Sequence, residues 1–311
     1  MTKEQIFTMN TAFRGEYTIH GYQYGKGEKS ACIVGAMRGD EYQQLYICSL
    51  LAQKLSEIES NGDIVSGKQI FLIPTLNYSS MNAMKTKWNS DDSDINRSFP
   101  GNHKGPATSR IAATLLDKVK DYTYGIQFAS FYLHGELVPH VRMLETGKES
   151  PSLANLFGMP YVMTGMNRSF DAVTLNYNWQ LGGTQAFSVY SKTTNVIDDE
   201  SAKLAVSSVL RFLTRMGIIR YECHGGYISS TLREDELVSI RADEAGFFRS
   251  LVEVNQEVRR GDSLAEIINP MDGSVKAIVK APTDGIIFFA HNQPMVYQNV
   301  VVYKLIRRLH I

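Results

Sequence analysis

The sequence is poor in cysteine and carries no net charge. Cys32, Cys48 and Cys223 are the only three cysteines, and no CxxC pair argues for a disulfide framework or a thiolate metal site. Basic and acidic residues both number 32, so no overall field attracts nucleic acid or an anionic membrane. No apolar run approaches the roughly 18 residues of a membrane span, and the first residues lack the apolar core of a signal peptide. We therefore expect a cytoplasmic protein that binds neither nucleic acid nor membrane.

Apolar runs alternate with amphipathic helical segments along the first two thirds of the chain. Their periodicities predict strands at 30–37, 68–77, 124–133, 140–144, 159–165 and 184–191, and helices at 40–60, 109–122 and 199–216. Asp40 and Glu41 suit the positive end of the first helix dipole, and Thr108 or Ser109 is available to cap the second helix. Strands that alternate with helices predict an open α/β sheet covered on both faces.

The pattern changes after about residue 225, where short alternating strands follow one another with regular turns. A weak repeat links "ADEAG" at 242–246 with "APTDG" at 281–285. Two interlocking copies of strand, turn and strand are typical of a barrel-sandwich hybrid, the shape of lipoyl carriers. Lys276 is the candidate carrier lysine, but a fold alone does not imply that function. The chain thus divides into an α/β domain, 1–225, and a C-terminal β module, 226–311.

Four short motifs suggest a family. The most specific is "SDINRSFPG" at 93–101; the others are "GAMRGDEY" at 35–42, "PTLN" at 74–77 and "PHVR" at 139–142. With the C-terminal β module, they resemble the succinylglutamate desuccinylase and aspartoacylase family of carboxypeptidase-like zinc deacylases. The resemblance implies a carboxypeptidase-like open mixed sheet flanked by helices, followed by the β module.

The resemblance also implies a particular chemistry. In the family, the histidine and glutamate of an H-x-x-E motif and a second histidine bind one zinc ion. A glutamate on a later strand deprotonates the zinc-bound water, which attacks an amide carbonyl. The asparagine and arginine of a D-L-N-R segment hold the carboxylate of the substrate.

Mapped onto this sequence, the metal-binding positions are substituted. Arg38 stands at the first histidine, Glu41 is retained, Gln127 stands at an aspartate and Ala129 at the second histidine. Tyr190 falls at the catalytic glutamate. A guanidinium has no lone pair and alanine has no ligand atom, while tyrosine, with a reference pKa near 10, is a poor base for water. The sequence therefore predicts no zinc site here.

Two other arrangements remain open. Glu41, His134 and His140 could form a rearranged metal site, which would bring zinc back as a cofactor. Alternatively, Arg38 could act as an electrophile and Tyr190 as an acid without a metal. We favour a third arrangement, in which Arg38 pairs with Glu41 and supplies the positive charge of the missing ion, so that Glu41 is not buried without a partner.

The anion-binding positions are retained. Asn96 and Arg97 of the motif are predicted to hold a ligand carboxylate, while Asp94 braces their loop. Lys87 is a candidate for the family arginine that polarises the scissile carbonyl, and Arg142 is expected to border the same cleft.

The sequence thus favours a degenerate family member that lacks zinc and hydrolase activity but keeps a pocket for a small carboxylate-bearing ligand. Such a protein would act as a ligand sensor, or as a non-catalytic subunit in a homo-oligomer or beside an active paralogue. The alternative is an active hydrolase of N-acyl amino acids or small amides with an atypical metal site. A third hypothesis is an interaction protein that docks through its β module.

Overall fold

A computed structural model describes residues 1–11, 15–165 and 169–308. The chain divides into two compact units: residues 1–130 with 139–231, and residues 131–138 with 232–311. The second unit therefore begins at Leu232 rather than at residue 226, and it also includes a short segment from the middle of the chain. No helix among the described residues is long and apolar enough to cross a membrane.

Among the described residues up to Arg233, there are six α-helices and ten strands. The helices are α1 Tyr42–Ser60, α2 Tyr78–Met81, α3 Ala107–Val119, α4 Pro151–Ala154, α5 Leu175–Leu181 and α6 Asp199–Arg215. The strands are β1 Thr2–Asn10, β2 Glu16–Gly25, β3 Gly27–Ala36, β4 Gly67–Thr75, β5 Tyr124–Ala129, β6 Gly135–Leu137, β7 His140–Leu144, β8 Tyr161–Gly165, β9 Gln185–Tyr190 and β10 Ser230–Arg233. All but β6 form one sheet in the order β1-β2-β4-β3-β5-β9-β7-β8-β10.

This sheet is mixed and is covered by helices on both faces, as the sequence predicts. β3 runs parallel to β4 and β5, and β5 runs parallel to β9, whereas β7 is antiparallel to β9. One buried cluster packs α1 and α6 against the sheet, and another packs α3 and α5 against its opposite face. Because β3, β5 and β9 are adjacent and parallel, their carboxyl ends meet at one edge of the sheet.

The predicted cap of the second helix is wrong. This helix, α3, begins at Ala107 with Pro106 at its N-cap, so Thr108 lies inside the helix. Asp91 of the preceding loop takes the capping role, since its carboxylate accepts hydrogen bonds from the Thr108 amide at 2.9 Å and the Thr108 hydroxyl at 2.6 Å. A carboxylate at this end of the helix also suits the helix dipole.

The second unit, as far as residue 308, is all-β apart from one short 3₁₀ turn at Glu234–Glu236. Its strands are β11 Val238–Arg241, β12 Gly246–Ser250, β13 Glu257–Val258, β14 Ser263–Ile268, β15 Val275–Lys280, β16 Gly285–His291, β17 Met295–Val296 and β18 Val301–Arg307. One sheet has the order β11-β18-β16-β13, with β6 also paired to β16, and the other has the order β15-β14-β12-β17. An apolar core lies between them.

Candidate functional site

The candidate site begins where three neighbouring strands of the large sheet end. Arg38 follows β3, Ser130 follows β5, and Tyr190 is the last residue of β9. In open α/β sheets, ligands bind outside the carboxyl ends of such strands. The sheet therefore places the substituted positions together at its functional edge.

Arg38 is held by three acidic or hydroxyl side chains. Its Nε and Nη2 atoms donate to the Asp94 carboxylate over distances of 2.8–3.1 Å. Its Nη1 atom donates to the Ser130 hydroxyl at 2.9 Å and to Glu41 Oε1 at 3.4 Å. The guanidinium side chain is only 12% exposed. The predicted Arg38–Glu41 ion pair is thus confirmed, but the closer and forked partner of Arg38 is Asp94.

Glu41 is buried and accepts four hydrogen bonds. Its Oε2 atom accepts from the backbone amides of Met37 at 2.7 Å and Arg38 at 3.0 Å. Its Oε1 atom accepts from Ser130 and from Arg38. Since all four contacts come from donors, they accommodate the ionised carboxylate. Its lone pairs are therefore already occupied by the protein itself.

The charges of this cluster do not leave a positive centre. Burial raises the pKa of Glu41, while the Arg38 guanidinium, the Ser130 hydroxyl and two backbone amides oppose that shift. Burial lowers the pKa of Arg38, but Glu41 and Asp94 outweigh it and raise that pKa above its ordinary value. One guanidinium then faces two carboxylates. Asp94 thus adds a negative charge to the Arg38–Glu41 pair, while the neighbouring Arg97 adds a second positive charge.

Asp94 has two roles at once. Besides binding Arg38, its carboxylate accepts from the Asn96 amide at 2.9 Å and caps the 3₁₀ helix Ile95–Arg97. Its carbonyl accepts from the Ser98 hydroxyl at 2.8 Å. The expected bracing of the loop is therefore present, and the same carboxylate fixes the loop to Arg38.

Asn96 and Arg97 lie beside α5. Asn96 Oδ1 accepts from the Leu175 amide at 3.3 Å. Arg97 Nη1 donates to the Phe170 carbonyl at 2.9 Å, and its guanidinium lies 4.9 Å from the centre of the Phe170 ring. Burial and the neighbouring Arg38 lower the pKa of Arg97. Among the described residues, no carboxylate forms an ion pair with Arg97.

Ala129 and Tyr190 are directly paired across β5 and β9. Tyr190 is also paired with His140 of β7, and the two rings stack with centres 4.6 Å apart and planes 4° apart. Gln127, two residues before Ala129, is buried and donates to the Met37 sulfur at 3.5 Å. The substituted positions thus lie next to one another, and Tyr190 packs against an aromatic surface.

Lys87 is exposed to solvent, whereas Arg142 packs against the sheet. Lys87 is exposed, and its Nζ atom lies 2.9 Å from the Asp92 carboxylate, so its side chain points to solvent rather than to the Arg38 cluster. Arg142 lies on β7 two residues after His140, on the same side of the sheet. Its guanidinium covers Gly165, where a Cβ atom would lie 2.3 Å from Nη2. A glycine at 165 therefore makes room for Arg142.

The side chains at this edge do not fit a zinc ion. Arg38 and Ala129 provide no lone pair, and the carboxylate oxygens of Glu41 are occupied by donors. Of the fallback ligands, His140 is stacked on Tyr190. Within residues 1–11, 15–165 and 169–308, no three His, Cys, Asp or Glu side chains are grouped as metal ligands.

Sequence reasoning missed Ser130 and the clamp formed by Asp94. Ser130 immediately follows Ala129, and a hydroxyl beside a substituted ligand position was the available signal. Nothing local pairs Arg38 with Asp94, since they lie 56 residues apart.

The fold is a mixed α/β sheet flanked by helices and followed by a C-terminal β module. Residues 28–135 match the model of the succinylglutamate desuccinylase/aspartoacylase catalytic domain. This match agrees with the family resemblance that the motifs of the sequence indicate. No curated protein matches its sequence.

Solved structures share the fold along nearly the whole chain. A succinylglutamate desuccinylase from Silicibacter sp. TM1040 is 18% identical, with a TM-score of 0.82 over 97% of this chain and 94% of that one. An aspartoacylase family protein from Mesorhizobium loti is 18% identical, with a TM-score of 0.78 over 100% and 95%. The product-bound ectoine utilization protein EutE from Ruegeria pomeroyi is 17% identical, with a TM-score of 0.78 over 97% and 94%. At these identities the likeness establishes the fold.

Proposed function

We propose that this chain is a degenerate member of the succinylglutamate desuccinylase/aspartoacylase family, without zinc or hydrolase activity, that binds a small carboxylate-bearing ligand. It acts as a ligand sensor or as a non-catalytic subunit. Such a subunit would form a homo-oligomer or assemble with an active paralogue. We place it in the cytoplasm, where its free thiols Cys32, Cys48 and Cys223 would stay reduced.

The observation that carries this proposal is the occupation of Glu41. Two backbone amides, the Ser130 hydroxyl and the Arg38 guanidinium donate to its two oxygens. A zinc ion would have to displace the Arg38 guanidinium from Glu41. Its two positive charges would then lie next to the positive charge of that guanidinium. Structural and catalytic zinc sites use three or four protein ligands, and within the described part of the chain no histidine is bonded to Glu41. The residues support a closed polar cluster instead.

Ligand binding is assigned to the Asn96–Arg97 loop. Arg97 is half-buried, and among the described residues only the Phe170 carbonyl accepts from its guanidinium. Its Nε and Nη2 atoms are thus available to a ligand carboxylate, and a charge-assisted bond from a partly desolvated guanidinium is strong. The Asn96 amide group can add a further donor because its oxygen already accepts from Leu175.

Two measurements test this function. Metal analysis of protein purified without chelators should find no stoichiometric zinc. Titration calorimetry with N-succinylglutamate, N-acetylaspartate and other N-acyl amino acids should detect binding that weakens by roughly tenfold or more in Arg97→Ala, given about 1.5–3 kcal/mol for a charged hydrogen bond. Lys87→Ala is the matched control, because that cation points to solvent and its loss should leave affinity unchanged.

The opposite result identifies the alternative. One tightly held zinc per chain, or turnover of an N-acyl amino acid that disappears in both Glu41→Ala and Tyr190→Phe, would make the protein an active hydrolase with an atypical site. The absence of binding across the whole panel would contradict the carboxylate pocket.

A further inference from the structure

The sheet β15-β14-β12-β17 of the second unit has an apolar outward row. Phe247 is paired with Met295 and with Ile268, and Ile268 is paired with Val275. Directly paired residues of neighbouring strands point to the same side of a sheet. Phe247, Met295 and Val275 are 45%, 43% and 50% exposed. Phe247, Met295 and Ile268 thus form one apolar row on this side of the sheet, and exposed Val275 extends it beyond the register shift between Ile267 and Ile268.

A second row lies beside the first on the same side. Arg249 is paired with Glu266, with which it forms an ion pair, and Glu266 is paired with Ile278. Ile278 is exposed, and so is Leu251, which follows β12. We call the two rows together the outer face. It consists of Phe247, Arg249, Leu251, Glu266, Ile268, Val275, Ile278 and Met295.

The outer face is unlike the surface of an ordinary monomer. The opposite side of the same sheet packs into the core of the unit through residues such as Leu264, Ala265 and Ile267, so the sheet is apolar on both sides. Single exposed apolar residues are common, but a contiguous apolar patch marks an interaction surface. A sheet with apolar side chains on both sides is expected to have a second layer packed on its exposed side.

We propose that a second copy of this chain covers the outer face, through a two-fold axis that runs along the strands between β12 and β14. This rotation lays each row on its own counterpart in reverse order. Phe247 then lies on the second copy's Ile268, and Met295 on its Val275. Two sheets stacked in this way form an aligned sandwich, and self-complementarity of this kind defines a two-fold interface.

The charges of the face suit the same arrangement. The rotation places Arg249 opposite the second copy's Glu266 and Glu266 opposite its Arg249, so the ion pair of each chain becomes part of a four-charge network. The chain as a whole has 32 basic and 32 acidic residues, so two copies have no net charge that would drive them apart. A second copy of the chain covers the apolar row with apolar side chains and the charged row with charges of opposite sign.

The first experiment measures molar mass by light scattering during size-exclusion chromatography at micromolar concentration. The full chain should give twice 34.9 kDa, and Phe247→Glu should give a single folded chain whose circular dichroism spectrum matches that of the natural chain. Met271→Glu is the matched control, since Met271 is 91% exposed in the same unit but lies outside the outer face. A monomeric natural chain, or a Phe247→Glu variant that stays dimeric, would overturn the proposal.

The second experiment separates contacts between chains from contacts within one chain. Arg249→Glu and Glu266→Arg each place like charges together, both within a chain and across the axis, and each should raise the dimer Kd by about tenfold or more. Mixed in equal amounts, the two variants face each other with opposite charges, although each keeps its internal repulsion. Recovery of the dimer in the mixture is expected; failure to recover it would rule out the proposed axis.

Discussion

The guanidinium of Arg38 and the carboxylate of Asp94 form a forked pair, joined by three contacts of 2.8–3.1 Å across 56 residues of sequence. This pair connects the end of β3 to the loop that carries Asn96 and Arg97. Because Arg38 also donates to Glu41 and Ser130, it is the centre of the cluster.

Removal of the Arg38 charge should destabilise the protein strongly. Arg38→Met leaves Glu41 and Asp94 facing each other without a cation, and a broken buried ion pair costs about 3–5 kcal/mol. Urea unfolding should show this loss in the free energy of unfolding, and Arg38→Met combined with Glu41→Gln should recover part of it. Lys54→Ala, which removes a partly exposed ion pair with Glu57, should change stability by less than about 1 kcal/mol. An equally small effect at Arg38 would show that its charge is not needed.

Two substitutions should create a zinc site on this scaffold. Arg38→His with Ala129→His places two imidazoles beside Glu41, which gives the three protein ligands that a catalytic zinc site requires. The double variant should hold about one zinc per chain in metal analysis, whereas Ala129→His alone should hold none. If the folded double variant binds no zinc, the alignment of Arg38 and Ala129 with the family ligands is wrong.

Arg211 should be essential to the fold of the first unit. This buried guanidinium donates from Nε to the His224 carbonyl at 2.7 Å and from Nη1 to the Phe157 carbonyl. Arg211→Met would leave both carbonyls without that donor, at a cost of about 1–3 kcal/mol each. Thermal unfolding should show a large fall in melting temperature, while Arg215→Met, which removes a single exposed contact to Gly225, should be nearly neutral. Similar effects of the two variants would contradict this role.

His291 should make the second unit sensitive to mild acid. Burial lowers the pKa of His291 below its ordinary value of 6.5, although hydrogen bonds with backbone carbonyls partly oppose the shift. The unfolded chain therefore binds this proton at a higher pH than the folded chain does. Stability is complete above about pH 6.5 and falls as the pH drops through the lowered folded pKa.

The measurement compares unfolding at pH 7.5 and pH 5.5, roughly one unit either side of the unfolded pKa. His291→Gln should lose less stability on acidification than the natural chain. His103→Gln, at an exposed histidine, should behave like the natural chain. Equal acid sensitivity in all three would assign the effect to other groups.

The sequence was informative wherever one local pattern decides the structure. Continuous apolar runs predicted β3, β4, β5 and β9, and the 3.6-residue period predicted α1, α3 and α6, because burial of a single face fixes each of them. The seven-residue α5 was missed, since two turns are too short to show a period. The position of Lys87 was misjudged because an ion pair with Asp92 decides its direction.

The site was predictable only in part. The ion pair of Arg38 with Glu41 lies within one turn and could be proposed from spacing alone. The contacts with Asp94 and Ser130 join segments that only the sheet brings together, so no local rule identifies them. They change the net charge of the cluster, which is why the sequence could predict the pair but not its electrostatic outcome.

The double use of Asp94 has a genetic consequence. Since one carboxylate caps the Asn96–Arg97 turn and clamps Arg38, substitutions at Arg38, Asp94 and Arg97 will show strong epistasis in any mutational scan. The fitness effect of each depends on the others, so single-site scores will misrank all three. The effects of substitutions at these three positions are therefore interdependent, although Arg38 and Asp94 lie more than fifty residues apart in the sequence.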